Sequence, residues 1–424
     1  MFSSLKSLGR PPHRKRSPRT ARSARRPLFE QLGGCLLGPS SAGIPHSGKP
    51  GVEALEQRQL MSIVVGGGIG GVRLAGDPQQ LANMSSVTDS SGHTVFFEIT
   101  PDQRLWYSTQ PGVWCETAGH VLSVSAGTDN GAAVAYVIGT NHAVYEYSPA
   151  LDQWKSLGGY ALSISATQGP SGFVPSLVYA IGSDAKLYVN DGWTGWHNLG
   201  SPVGTSTNGE LVTLSTVDYL SGSTVQSVCY ATDQSGNVWQ CTNEIWNGGG
   251  GMGGLGWSPA YSGNWSSTGG TNAIQIGAGY DYHGNPLVYS LTWDHRVWVY
   301  DGGSWSSVGG TNTYALEISA GRSWGANDPS RNIVYVIGGN HSVYVYNNSA
   351  NSSWGSSIAW QDLGGYATAI TAEAVNQADG IDRVFANDSY DNVYEYLPGF
   401  RGTYSYWAAL YGPQMLQLTT PLFY

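Results

Sequence analysis

Short runs in which apolar and polar residues alternate recur along the chain in pairs. The clearest are NIVYVIGGNHSVYVY (332–346), AVAYVIGTNHAVYEY (133–147), SLVYAIGSDAKLYVN (176–190) and PLVYSLTWDHRVWVY (286–300). Aligned on one aromatic from each run, they give Phe97/Trp106, Tyr136/Tyr145, Tyr179/Tyr188, Tyr230/Trp239, Tyr289/Trp298, Tyr335/Tyr344 and Phe385/Tyr394, always nine residues apart. Two alternating runs joined by a turn of two or three residues that carries Asn or Asp predict a tight β-hairpin.

Each hairpin is followed by a further tryptophan, often in W-x-x-L-G-G: Trp114, Trp154, Trp196, Trp265, Trp305, Trp360 and Trp407. A short run such as VLSVSA, ALSISA, AIQIGA or ALEISA comes next, apolar at alternate positions and otherwise small. The unit is therefore four strands, A to D, and it recurs seven times with 40 to 69 residues between successive strand-D tryptophans. Four-stranded units arranged about an axis make a β-propeller, whose crowded centre suits the small residues of strand A. The expected fold class is all-β, a seven-bladed β-propeller of four-stranded antiparallel blades over residues 81–424. Both 81–87 and 414–420 resemble strand A. The interval from Met84 to Phe97, close to that from Val124 to Tyr136, assigns 81–87 to the first blade, leaving the C-terminal run to pack on a neighbouring edge.

Composition agrees: 59 Gly, 26 Tyr and 16 Trp in 424 residues with 12% charged side chains suit strands and tight turns better than helices. Charge divides the chain. Residues 1–26 hold nine Lys or Arg and no acid, whereas residues 63–424 hold nine basic and 26 acidic side chains, about −17 in all. An acidic body repels phosphates, which argues against a nucleic-acid partner. Residues 1–62 are expected to form a basic, disordered leader for export and processing, and 63–80 a glycine-rich lead-in. No run approaches the roughly 20 apolar residues of a membrane span.

The lead-in contains Gly66-x-Gly68-x-x-Gly71 after Val64 and Val65, the spacing of a dinucleotide-binding turn. That motif needs a following helix and a parallel sheet. Here VFFEIT is in register with the other B strands, so Glu98 is a blade residue and not a ribose ligand. The glycines read as a linker, and no cofactor is expected.

The repeat resembles the tectonin-like unit, W-x-x-L-G-G, then I-S-A, then V-Y and G-x-V-W, which builds seven-bladed propellers in bacterial fucose-binding lectins. The resemblance spans residues 81–412 and implies a carbohydrate-binding propeller. Kelch repeats compete, through YVIGG at 335–339, but their turns are usually longer. Leu55, Glu56, Arg58, Leu60 and Ser62 resemble the LEPR-x-LLS element that follows a basic N-terminus in many planctomycete surface and secreted proteins. Gln57 and Met61 depart from that pattern. This resemblance implies export, hence a secreted or cell-surface location in which a disulfide is permissible.

The chain shows no G-x-S-x-G elbow, no H-E-x-x-H and no calcium loop, so no catalytic or metal residue is assigned. Ten tryptophans, on strands C and D, read as inter-blade core. Of the remaining six, Trp193, Trp246, Trp257, Trp324 and Trp354 fall in A–B or C–D loops, and Trp293 lies at a B–C turn. With Tyr280 and Tyr282, and with Asp294 and His295, they are the candidate glycan-binding residues, since flat aromatic faces pack on sugar C–H groups beside polar side chains. Loops folding over their own tryptophans remain an equal alternative. Asn141-His142, Asp294-His295 and Asn340-His341 recur at one turn, and Asn and Asp there suit a positive φ, which favours a structural role. Cys229 and Cys241 flank the fourth hairpin. They face each other, and can form a disulfide, if its turn has three residues centred on Ser235. With two residues they cannot. The leading function is a non-enzymatic propeller that binds a glycan or polysaccharide. A protein-interaction scaffold for another surface protein is the alternative, and a polysaccharide-acting enzyme a third.

Overall fold

A computed structural model of the chain describes residues 84–410 except 111, 168–175, 193, 203–209, 222–223, 248–259, 282–284, 310–313, 322–332, 348–358, 374–382, 390–391 and 398–405. The leader, the glycine-rich segment 63–80 and the C-terminal run 414–420 lie outside the described residues. Those described form strands and turns, and no helix among them is long and apolar enough to cross a membrane.

Repeat 1 forms β1 (Met84–Thr88), β2 (Thr94–Ile99), β3 (Arg104–Gln110) and the first half of β4 (Val113–Asp129). The second half of β4 opens repeat 2, which continues with β5 (Ala132–Gly139), β6 (Val144–Ser148) and β7 (Gln153–Gly158). Then come β8 (Ser163–Ala166), β9 (Val178–Ile181), β10 (Leu187–Asn190) and β11 (Trp196–Gly200), followed by β12 (Leu211–Ser221), β13 (Thr224–Asp233), β14 (Val238–Asn247) and β15 (Ala260–Ser267). The fifth set is β16 (Ala273–Tyr280), β17 (Pro286–Thr292), β18 (Val297–Tyr300) and β19 (Trp305–Ser307). The sixth is β20 (Ala315–Ala320), β21 (Ile333–Gly338), β22 (Val343–Asn347) and β23 (Ala359–Gly364), and the last β24 (Ala369–Glu373), β25 (Arg383–Asn387), β26 (Val393–Leu397) and β27 (Tyr406–Ala409). Within every set, neighbours in sequence are antiparallel neighbours in the sheet. First strands contact one another in the order β1, β4, β8, β12, β16, β20, β24, and β24 meets β1. This is a β-propeller of four-stranded blades, with β1 as the first inner strand; it covers residues 84–87 of the expected 81–87, and 81–83 lie outside the described residues.

Sequence chemistry explains the inner edge. A strand at the axis has no fifth neighbour, so its outward N–H groups need another acceptor. Serine on the preceding inner strand supplies it: Ala126 N donates to Ser85 Oγ, Ala166 N to Ser125 Oγ, Ala278 N to Ser215 Oγ and Ala372 N to Ser319 Oγ, each at 2.9 Å. The recurrent I-S-A triplet is thus a seam between blades. One step earlier on β16, Gln275 Oε1 accepts from Ile318 N (3.0 Å) and its Nε2 donates to Ile318 O (3.2 Å).

The W-x-x-L-G-G motif is a second seam. Trp196 Nε1 donates to Leu157 O, Trp265 to Leu199 O and Trp407 to Leu363 O, at 2.9 to 3.0 Å, so each indole is tethered to the leucine of the blade before it. Both glycines of Gly158-Gly159 have positive φ, 70° and 75°, and a Cβ on Gly159 would lie 3.1 Å from the Trp196 ring. Only glycine meets both demands at low cost. Apolar clusters fill the spaces between adjacent blades, and one joins Phe96 and Trp114 to Phe385 and Leu410 across the closure of the ring.

The hairpin turns have three residues throughout their described examples. Gly139/Ala143, Gly182/Lys186, Asp233/Asn237, Thr292/Arg296 and Gly338/Ser342 close them, the first residue donating its N–H to the last and accepting from the N–H three residues on. In three of them His142, His295 and His341 hold the left-handed position, φ 62°, 63° and 64°. The expectation that Asn or Asp takes it is corrected: Asn141 and Asn340 instead precede it and accept from the backbone N–H two residues on.

Cys229 and Cys241 do lie opposite each other, as a three-residue turn requires, but both thiols are free and fully buried. Asp233 N bonds Asn237 O, and counting by twos along the ladder makes the cysteines a hydrogen-bonded pair. Such pairs hold their Cα atoms about 5.5 Å apart, within the range a disulfide spans, so the backbone does not exclude the bond, yet the two thiols are unjoined. Burial also pushes both thiols up, Cys241 to about 12. Cys115 is disulfide-bonded.

Candidate functional site: clefts at the blade junctions

At the end of the molecule that carries the B–C turns, three blade junctions open into similar clefts. Each takes one wall from the link after a strand D and the other from the B–C turn of the next blade. Between repeats 2 and 3 the lining includes Tyr160, Asp184, Tyr188 and Trp196, around a cavity of about 310 Å³. Between repeats 4 and 5 it includes Asn272, Trp293, Asp294, Trp298 and Trp305, again about 310 Å³. Between repeats 5 and 6 it includes Tyr314, Asn340, Tyr344 and Trp360, at about 500 Å³.

The same local rules build all three. The strand-D indole lies along the inter-blade seam and offers its free side to the cleft, the strand-C aromatic stands beside it, and the turn brings up one Asp or Asn. Tyr188 OH donates to Asp184 Oδ2 (2.9 Å), and Asn340 Nδ2 donates to Tyr344 OH (2.9 Å). Asp294 differs. The hydrogen bond from Thr292 Oγ1 (2.6 Å) outweighs desolvation and, with Arg296, holds its carboxyl below the usual carboxylate range.

Turn histidines fasten the outer wall. His142 stacks on Tyr160, His295 on Tyr314 and His341 on Tyr366, with ring centroids 4.7, 4.0 and 4.6 Å apart. The chain alanine after each tyrosine donates its N–H to the histidine carbonyl, so the pair bridges two blades. Each tyrosine keeps about half its surface in water, 48%, 54% and 52%.

The structure divides the candidate residues. Trp293 (66% exposed) and Asp294 share the cleft between repeats 4 and 5, whereas His295 serves the next junction through Tyr314. Tyr280 sits at the far end of β16, paired with Pro286, about six residues or 20 Å from the B–C turn. Its hydroxyl bonds Asp218 O and its ring packs on the apolar cluster around Val217, so it is separated from Trp293. Trp246, expected in a loop, lies on β14 opposite Val225. Trp193, Trp257, Trp324, Trp354 and Tyr282 lie outside the described residues. Among the described residues no group of three His, Cys, Asp or Glu is placed to hold a metal. Sequence reasoning missed Tyr160, Tyr188, Tyr314 and Tyr344 as lining residues. Recurrence of G-G-Y-A, at 158–161 and 364–367, was the available signal for the link tyrosines.

No family model matches the chain, and no curated protein matches it. Solved structures do match in fold. BBS1N, solved in complex with ARL6DN, is 12% identical with a TM-score of 0.51, over 76% of this chain and 93% of that one. The BP39L lectin from Burkholderia pseudomallei is 15% identical with a TM-score of 0.50, over 78% and 97%. The SapL1 lectin, solved in complex with alpha methyl fucoside, is 18% identical over 68% and 96%, with a TM-score of 0.41. At these identities the likeness concerns the fold alone.

Proposed function

We propose that the chain is a seven-bladed, non-catalytic propeller that binds glycans through its junction clefts, and that it acts outside the cell or on its surface. The observation that carries this reading is the recurrence, at three junctions on one end, of a cleft with an indole, a second aromatic and an Asp or Asn. Such a cleft suits a polar ring with apolar faces: the aromatics cover its C–H groups and the turn side chain meets its hydroxyls. The fold of the BP39L lectin supports the reading, and the basic leader with its LEPR-like element supports export. Three sites on one face multiply the apparent affinity for repetitive glycans, because the second contact is intramolecular. Glycan-array screening of the purified chain should give binding to a family of related structures, and signal on immobilised polymer should exceed that on the free oligosaccharide. An array without a single bound glycan sinks the reading. Cell fractionation tests the location: recovery in the cytosol alone contradicts export.

A further inference from the structure

The three clefts are not equal. Where the junctions of repeats 2/3 and 5/6 have Ser183 and Gly339 at the turn, that of repeats 4/5 has Trp293, two-thirds exposed. Where they have Tyr188 and Tyr344 on strand C, it has Trp298. The two tyrosine hydroxyls are committed to Asp184 and Asn340. Trp305 is committed as well, through Nε1 to Thr268 O at 3.0 Å. Neither Trp293 nor Trp298 has a side-chain hydrogen bond among the described residues, so this cleft alone of the three carries two indole N–H donors free for a ligand. Its rim is fixed across the junction by Trp293 N donating to Asn272 O (3.1 Å).

Resting on the glycan-binding reading, we infer that the repeat 4/5 cleft is the primary subsite and that it selects a β-linked, gluco-configured glycan. Indoles from the turn, from strand C and from strand D surround one cavity, so a pyranose that enters meets aromatic surface from several directions. A ring whose substituents are all equatorial presents C–H groups on both faces and places its hydroxyls around the rim, where Asp294 and the two indole N–H groups are. An axial hydroxyl points from one face toward an indole, loses its hydrogen bond to water and gains none, a loss of about tenfold or more in affinity. An equatorial glycosidic bond keeps the next ring in the same plane, so the chain leaves the cleft along the face instead of turning into Trp293.

Titration of the full chain, followed by tryptophan fluorescence and calorimetry, tests this with cellohexaose against a β-1,4-linked galactose hexamer and methyl fucoside. The expected result is binding of cellohexaose at least about tenfold tighter than either competitor, a loss of about tenfold in Trp293→Ala, and partial recovery in Trp293→Phe. Equal or tighter binding of the galacto- or fuco-configured probe overturns the inference and leaves the glycan reading standing. Unchanged affinity in a folded Trp293→Ala protein does the same. If no glycan binds at all, both fall.

Discussion

The inner seam and the outer clefts use the same kinds of side chain to opposite ends. Along the axis, Ser85, Ser125, Ser215 and Ser319 each give their oxygen to a backbone N–H of the next blade, and Gln275 gives both ends of its amide to Ile318. At the junction clefts the aromatic and polar groups meet on one side only, and Tyr160, Tyr314 and Trp293 keep about half or more of their surface in water. Satisfied polar groups hold blades together, and partly satisfied ones are free to hold something else. Stability and binding should therefore separate by position.

One position of the inner seam sharpens the contrast. Glu317 on β20 stands where Gln275 stands on β16. Its Oε1 accepts from Ile370 N (3.3 Å), but the buried Oε2 has no partner among the described residues. Burial pushes this carboxyl up to about 8, against the small pull of the Ile370 N–H.

The largest effect is expected at the tryptophan seam. Gly159→Val forces a β-branched residue into φ 75° and against the Trp196 ring, and should cost about 3 kcal/mol or more, read as a fall in melting temperature or loss of soluble protein. Gly302→Ala is the control, with φ 92° and nothing within 4 Å of an added Cβ, so that only the backbone strain of about 1–2 kcal/mol remains. Equal effects of the two changes would show that the indole contact contributes nothing.

Next comes Glu317→Gln, expected to stabilise by about 1–3 kcal/mol at neutral to alkaline pH by giving Ile370 the amide that Ile318 already has. The sign follows from linkage. The folded state holds its proton more tightly than the unfolded chain, so the wild-type contribution is fully present below the ordinary carboxylate range and is lost as pH rises through about 8. Melting curves of the two proteins should coincide near pH 4 and diverge steadily up to pH 8–9. Parallel curves over that range would remove the case for a buried acid.

Smaller still, Ser125→Ala leaves Ala166 N without its acceptor and should cost about 1 kcal/mol in denaturant unfolding, with cleft binding unchanged. The smallest effect on stability belongs to Trp293→Ala, within about 0.5 kcal/mol, because its side chain is mostly in water. A large loss of stability there would mean that the exposed indole is structural, and the distinction between seam and cleft would fail at its most informative residue.

Much of this architecture is legible in the amino-acid sequence. Period-two alternation with a fixed nine-residue offset is set by the pleat and by one turn, both local, so the hairpins, the strand-D tryptophans and the small residues of the inner strands can be read directly. Turn length is local too, and it places Cys229 opposite Cys241. Tertiary structure alone decided what those residues met. The two facing cysteines remain free thiols in the closed core. Trp246 extends a strand because repeat 4 lengthens its hairpin, while His295 and Trp293, two residues apart, serve different junctions because each junction is made by two blades. A cleft assembled from the link of one repeat and the turn of the next recurs with the repeat, but its side chains are neighbours only once the blades have closed around the axis.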